Sequence, residues 1–171
     1  VASISKVMTA ILAIESGKLD NVVVVGEEIK EAYGSAVYLQ IGEEITLRDL
    51  VYALMLRSGN DAAMVIAQYV GEGEFVEMMN SKAQEIGMKN TTFNNPCGLD
   101  EEAGNYSTAY DMALLTSYAM QLEEYKDIVN TKMYSLKTNK NSYVWFNKHK
   151  LLGVNDYITG GKTGFTKKAK R

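Results

Sequence analysis

The hydrophobic period of the chain changes along its length, and that change limits the folds open to it. Residues 3–16 set Val7, Met8, Ile11, Leu12 and Ile14 at helical spacing, with Gly17 as the stop. The scarcity of charge there predicts a central, buried helix. The same period carries the middle of the chain. Thr46 followed by Asp49 opens a helix to about residue 56 in the manner of a capping box. Further helices are predicted over 62–70 and 75–86, the latter ending at Gly87, then to about residue 121 from Thr108 with Asp111, and over 123–129. Residues 22–26 and 36–41 read as short strands, 132–138 with 143–147 as a hairpin, and 157–166 as a final strand bearing three glycines. The pattern is mixed α/β, helical in the middle with strands towards both ends.

Several classes are excluded. A single Pro and the lack of any Ser/Gly-rich linker leave nothing to divide 171 residues into two domains. Hydrophobic residues at 46% and charged residues at 23% exclude a disordered chain. The longest apolar runs, 10–14 and 22–25, are far too short to span a bilayer. One Cys and one His rule out an internal disulfide framework and speak against a zinc site. A net charge of −3 gives no field that would draw nucleic acid. A helical pattern starts almost at Val1 with no basic n-region, so no intact signal peptide is present, and 167–171 holds four cations, read as a solvated tail. Both ends suggest a piece of a longer protein.

Three short motifs then stand out in order: Ser3-Ile4-Ser5-Lys6, Ser58-Gly59-Asn60 and Lys162-Thr163-Gly164. A Ser-x-x-Lys occurs by chance roughly 0.7 times in a chain this long, whereas all three, ordered, occur on the order of once in a thousand chains. Each alone has a plain reading: Ser3 as a helix cap, Ser58-Gly59-Asn60 as a helix end followed by a start, Lys162 to Gly164 as a turn. Together they make chemical sense. Spacing i, i+3 puts Ser3 and Lys6 on one helical face. A Ser hydroxyl needs a base, and Lys6 is one only when neutral, which burial and a second cation such as Lys162 would favour. The helix start offers N–H groups to a developing oxyanion. His149 reads as a surface side chain and Cys97 as a loop or core thiol.

On these motifs the chain resembles the serine D-alanyl-D-alanine carboxypeptidases, the low-molecular-mass penicillin-binding proteins. The likeness extends through Ala2-Ser3-Ile4-Ser5-Lys6-Val7-Met8-Thr9, Leu56-Arg57-Ser58-Gly59-Asn60-Asp61-Ala62-Ala63, Tyr106-Ser107-Thr108-Ala109-Tyr110-Asp111-Met112-Ala113 and Gly161-Lys162-Thr163-Gly164-Phe165-Thr166. It implies a β-lactamase/transpeptidase-like catalytic domain over 1–171, its helical subdomain largely complete and its central antiparallel sheet truncated at both ends. It implies Ser3 as acylated nucleophile, Lys6 as general base, and Ser58 and Asn60 as proton relay and positioning groups. Lys162, Thr163 and Gly164 would bind the substrate, with N–H groups of Ser3 and Phe165 as the oxyanion hole. The implied reaction removes the terminal D-Ala from peptidoglycan stem peptides, with β-lactams as covalent inhibitors and no metal or organic cofactor. The implied location is extracytoplasmic, with any membrane association through segments outside this chain.

Cys97 departs from the family, many of whose members have His there. The sheet is the larger departure, since the family strand that carries the third motif has neighbours outside this chain. A lone strand over 157–166 would leave its backbone groups unpaired. The expectation is that the Lys162 segment is displaced or disordered, or pairs with the hairpin near Tyr134 or with another chain's edge, which would leave this chain impaired as an enzyme. A class A-like β-lactamase is the alternative enzyme, although position 59 is Gly and no deacylating Glu is evident. A non-catalytic muropeptide- or β-lactam-binding fragment is the alternative of another class.

Overall fold

The computed structural model describes residues 1–100 and 103–170. A single 3-10 turn, Ser3–Ser5, leads into α1 (Lys6–Glu15), which ends at Gly17 with φ +70°. Every residue of α1 from Lys6 to Ile14 is buried. The reason is its place in the bundle: α1 packs against all five other helices. These are α2 (Leu47–Tyr52), α3 (Asn60–Gly71), α4 (Phe75–Ile86), α5 (Ala109–Ala119) and α6 (Glu123–Asn130). Fully buried side chains such as Met8, Ile11, Leu54 and Ile66 are each worth about 1.5–3 kcal/mol. No helix among the described residues is long and apolar enough to cross a membrane.

The caps are those the sequence predicts. Thr46 and Asp49 form a reciprocal capping box, and the Thr108 side chain accepts from the Asp111 N–H. Beyond Tyr52 the helix widens into a π turn, Ala53–Arg57, and stops at Ser58, whose φ of 64° is left-handed. The predicted hairpin is present as β3 (Met133–Lys137) paired with β4 (Ser142–Phe146). Its tip is tied to the body by Glu43. That carboxylate is fully buried and accepts from Thr138 Oγ1 at 2.6 Å, Tyr143 OH at 3.0 Å and the Gln40 N–H at 2.9 Å.

Two predicted strands are corrected. Residues 36–41 form no strand, and the partner of β1 (Val22–Val24) is instead β2 (Glu44–Thr46), antiparallel. The Asp61 carboxylate takes the N–H groups of Val37 and Leu39 at 3.1 Å, and Tyr38 between them has φ 65°, so these groups cannot join a ladder. Residues 157–166 form no strand either, and the segment pairs with neither strand of the hairpin. At Gly160 (φ +141°) a Cβ would lie 2.5 Å from Val129 O, so the chain bends closely over the end of α6. Lys167, Lys168 and Lys170 are exposed, as expected of a solvated tail, while Arg171 lies outside the described residues.

Candidate active site

Three segments distant in sequence converge at the start of α1. The Lys6 ammonium is fully buried and has three oxygen neighbours: Ser3 Oγ at 3.1 Å, Asn60 Oδ1 at 2.7 Å and Cys97 O at 2.5 Å. Asn60 Nδ2 donates to Tyr33 O, which fixes the amide so that its oxygen faces Lys6. Asn60 Oδ1 and Cys97 O can only accept, whereas Ser3 Oγ can also donate. Lys6 Nζ donates to all three oxygens; once it loses a proton, the two acceptor-only oxygens can keep its two N–H bonds, leaving the lone pair for the Ser3 hydroxyl proton. Burial is the main cause that lowers the Lys6 pKa from 10.5 to about 8; the nearby Lys148 charge adds to it, while Cys97 and Asp61 act in the opposite direction.

Lys162 forms a second pairing of amine and hydroxyl. Its Nζ donates to Ser58 Oγ at 2.9 Å and to Thr163 O at 2.6 Å. Burial, then the charges of Lys6 and Lys148, bring its pKa to about 7. The expected displacement of this segment is therefore corrected: Lys162 reaches the site from irregular backbone, because a long side chain needs only its Cα in range. Lys6 and Lys162 repel each other as like charges, as expected from the sequence, and Lys148, which follows β4, adds to the lowering of both.

Two glycines bring backbone against the helix start. At Gly98 (φ +79°) a Cβ would lie 2.3 Å from Ala2 O, and at Gly164 one would lie 3.1 Å from the Ser3 nitrogen and 3.0 Å from that of Ile4. Ser3 is half-buried with its Oγ towards Lys6, and no side-chain cap bond forms at this helix start. Ser5 is fully buried and donates to Ala2 O at 3.0 Å. Of the predicted residues, the structure groups Ser3, Lys6, Ser58, Asn60, Lys162 and Gly164, while the side chains of Thr163 and Phe165 remain exposed. The buried Cys97 thiol lies 3.6 Å from Asn60 O, but its carbonyl is the group that meets Lys6. His149 is half-buried rather than on the surface, its ring against Gly161.

A buried lysine set against a serine at a helix start, with a second lysine on a second serine, is a donor and acceptor set that suits acyl transfer to a hydroxyl, on a mixed α/β fold of the penicillin-binding class. The chain belongs to the D-alanyl-D-alanine carboxypeptidase family, which it matches over residues 1–171. It is 37% identical over 177 residues to D-alanyl-D-alanine carboxypeptidase DacF of Bacillus subtilis, covering 99% of this chain and 45% of that protein. It is 33% identical to DacD of Escherichia coli, covering 95% of this chain and 46% of the other. Among solved structures, a D-alanyl-D-alanine carboxypeptidase from Mycobacterium tuberculosis superposes with a TM-score of 0.91 at 31% identity, covering 97% of this chain and 64% of that one. A Streptomyces DD-transpeptidase gives 0.89 at 31% identity, covering 97% and 71%. The chain thus spans a little under half the length of these two curated relatives.

Proposed function

We propose that residues 1–171 act as one catalytic unit of a serine D-alanyl-D-alanine carboxypeptidase, which removes the terminal D-Ala from peptidoglycan stem peptides and is acylated by β-lactams. The observation that carries this reading is the wiring of Lys6, whose remaining position faces Ser3 Oγ at 3.1 Å. Ser3 Oγ attacks the carbonyl carbon of the penultimate D-Ala as its proton passes to Lys6 Nζ. The carbonyl oxygen becomes an oxyanion facing the N–H groups of Ser3 and Phe165. Ser58, with Asn60 positioning the lysine, relays a proton to the amide nitrogen; the C–N bond breaks and D-Ala leaves. Lys162, Thr163 and Gly164 hold its carboxylate meanwhile. Water, giving a proton to the lysine, then hydrolyses the ester and restores Ser3. In a β-lactam the leaving nitrogen stays tethered to the acyl group, so the ester persists. Peptidoglycan as substrate places the protein on the outer side of the bacterial cytoplasmic membrane, with no nucleic-acid partner.

Intact-mass spectrometry after incubation with a labelled penicillin tests the proposal, together with D-Ala release from a peptide ending in D-Ala-D-Ala. A long-lived single adduct with D-Ala release is expected. Rapid turnover of the penicillin would instead indicate a β-lactamase, and no adduct a non-catalytic binder.

A further inference from the structure

Asp61 lies beside Asn60 at the start of α3, buried, and makes no ion pair among the described residues. Its two oxygens accept from the N–H groups of Val37, Leu39 and Ala62 at 3.0–3.1 Å. The segment it grips is the one that holds Asn60 from the other side. Tyr33 O accepts from Asn60 Nδ2, and Ser35 O accepts from the Asn60 N–H at 2.7 Å. Resting on the acyl-enzyme reading above, we infer that Asp61 is a positioning residue for the reaction: it clamps residues 33–39 so that Tyr33 orients the Asn60 amide, which in turn presents its oxygen to Lys6.

An Asn at 61 offers one accepting oxygen where a carboxylate offers two, and turns an N–H₂ towards backbone N–H groups. Residues 33–39 then loosen, Asn60 loses its orienting carbonyl, and the amide is free to present nitrogen to Lys6, donor against donor. Charge enters as well. The groups facing Lys6 are Asp61 on α3, Cys97 in the loop after α4, and Lys148 beyond β4, with Lys162 drawn in through Ser58. Of these Asp61 is an anion that favours the protonated lysine. Its removal shifts the acid limb of acylation to lower pH, which a purely structural role would not do.

The test is the pH profile of acylation by a labelled penicillin, per mole of site that can be acylated, for wild type, D61N and D61E. D61N is expected to acylate about tenfold to a hundredfold more slowly, with its acid limb displaced to lower pH. D61E keeps the charge but misplaces it by a methylene, so its rate should fall while its limb stays near that of wild type. A D61N protein with the wild-type rate, or one slowed with an unmoved limb, overturns the inference. Where D61N does not fold, D61E decides it, and a wild-type rate in D61E overturns it equally. Absence of any adduct on the wild-type protein overturns the carboxypeptidase reading and this inference together, whereas wild-type acylation with an unmoved D61N limb overturns this one alone.

Discussion

Lys162 Nζ donates to Ser58 Oγ at 2.9 Å across 104 positions of sequence. The serine that receives it is held at φ 64°, a left-handed conformation that costs a non-glycine residue on the order of 1 kcal/mol or more. In this conformation the hydroxyl meets the lysine. Replacing Lys162 with Met removes the cation and keeps the bulk. We expect acylation to fall most for ligands with a free carboxylate and less for esters lacking one. Equal losses for the two kinds of ligand would refute the role of Lys162 as the carboxylate anchor.

The Lys6 pKa of about 8 fixes a direction for the pH dependence. The base is the deprotonated form, so acylation by a ligand without a free carboxylate should climb about tenfold per pH unit below that value and level off above it, whereas a carboxylate ligand should lose rate as Lys162, with a pKa of about 7, gives up its charge. Lys148→Ala, which removes a cation that depresses Lys6, should move the limb to higher pH. Lys6→Ala should lower acylation by about 10²–10⁴ where Lys6 is deprotonated and by less below its pKa, so that this acid limb disappears. Stopped-flow acylation between pH 6 and 10 checks all three, and a flat wild-type profile would sink the assignment of Lys6.

Ser3 and Ser5 are separated by orientation. The Ser5 hydroxyl is buried and committed to Ala2 O, whereas the Ser3 hydroxyl faces Lys6. Peptide mapping of the penicilloyl adduct should place it on Ser3, and Ser5→Ala should still be acylated. An adduct on Ser5 would exchange their roles.

Gly98 and Gly17 both have positive φ, but they should respond differently to Ala. A Cβ at Gly98 meets the Ala2 carbonyl at 2.3 Å, while one at Gly17 meets nothing within 4 Å. Gly17→Ala should therefore cost about 1 kcal/mol from backbone strain alone. Gly98→Ala should cost about 2 kcal/mol or more and slow acylation, because the peptide ahead of Ser3 must move. Urea midpoints together with acylation rates distinguish the two, and equal costs would show that the Ala2 peptide yields freely.

Glu43→Ala would leave the Thr138 and Tyr143 hydroxyls and the Gln40 N–H without their acceptor. A cost of about 2–4 kcal/mol is expected, with amide protection lost first in β3 and β4. Unchanged hydrogen exchange in the hairpin would show that the tie is not what holds it.

The parts of the fold legible in the sequence are those set by near neighbours. The helix Phe75–Ile86, the Thr46–Asp49 box and the β3–β4 hairpin each follow from residues within one element or its cap. Residues 36–41 misled because the groups that would have built a ladder are taken by Asp61, more than twenty positions away. In the candidate site, the side chains of Ser3, Lys6, Ser58, Asn60 and Lys162 could be read from motif spacing. The carbonyls of Tyr33 and Cys97 could not, since a main-chain oxygen leaves no mark in residue identity. Lys148 could have been noticed only as a cation in the stretch that runs towards the third motif.

The π turn Ala53–Arg57 has a consequence for how such a chain can evolve. Its wider turn brings the N–H groups of Ser58 and Gly59 to Ala53 O, beyond the usual four-residue reach. Each residue of a helix turns the chain by about 100°. Deleting one residue here would restore an ordinary α-helix and swing Ser58 away from Lys162, although every site side chain was still encoded. Descendants can exchange many of the apolar residues in 53–56 for others of similar volume. They cannot change how many there are, so this stretch should accept substitutions far more readily than insertions or deletions.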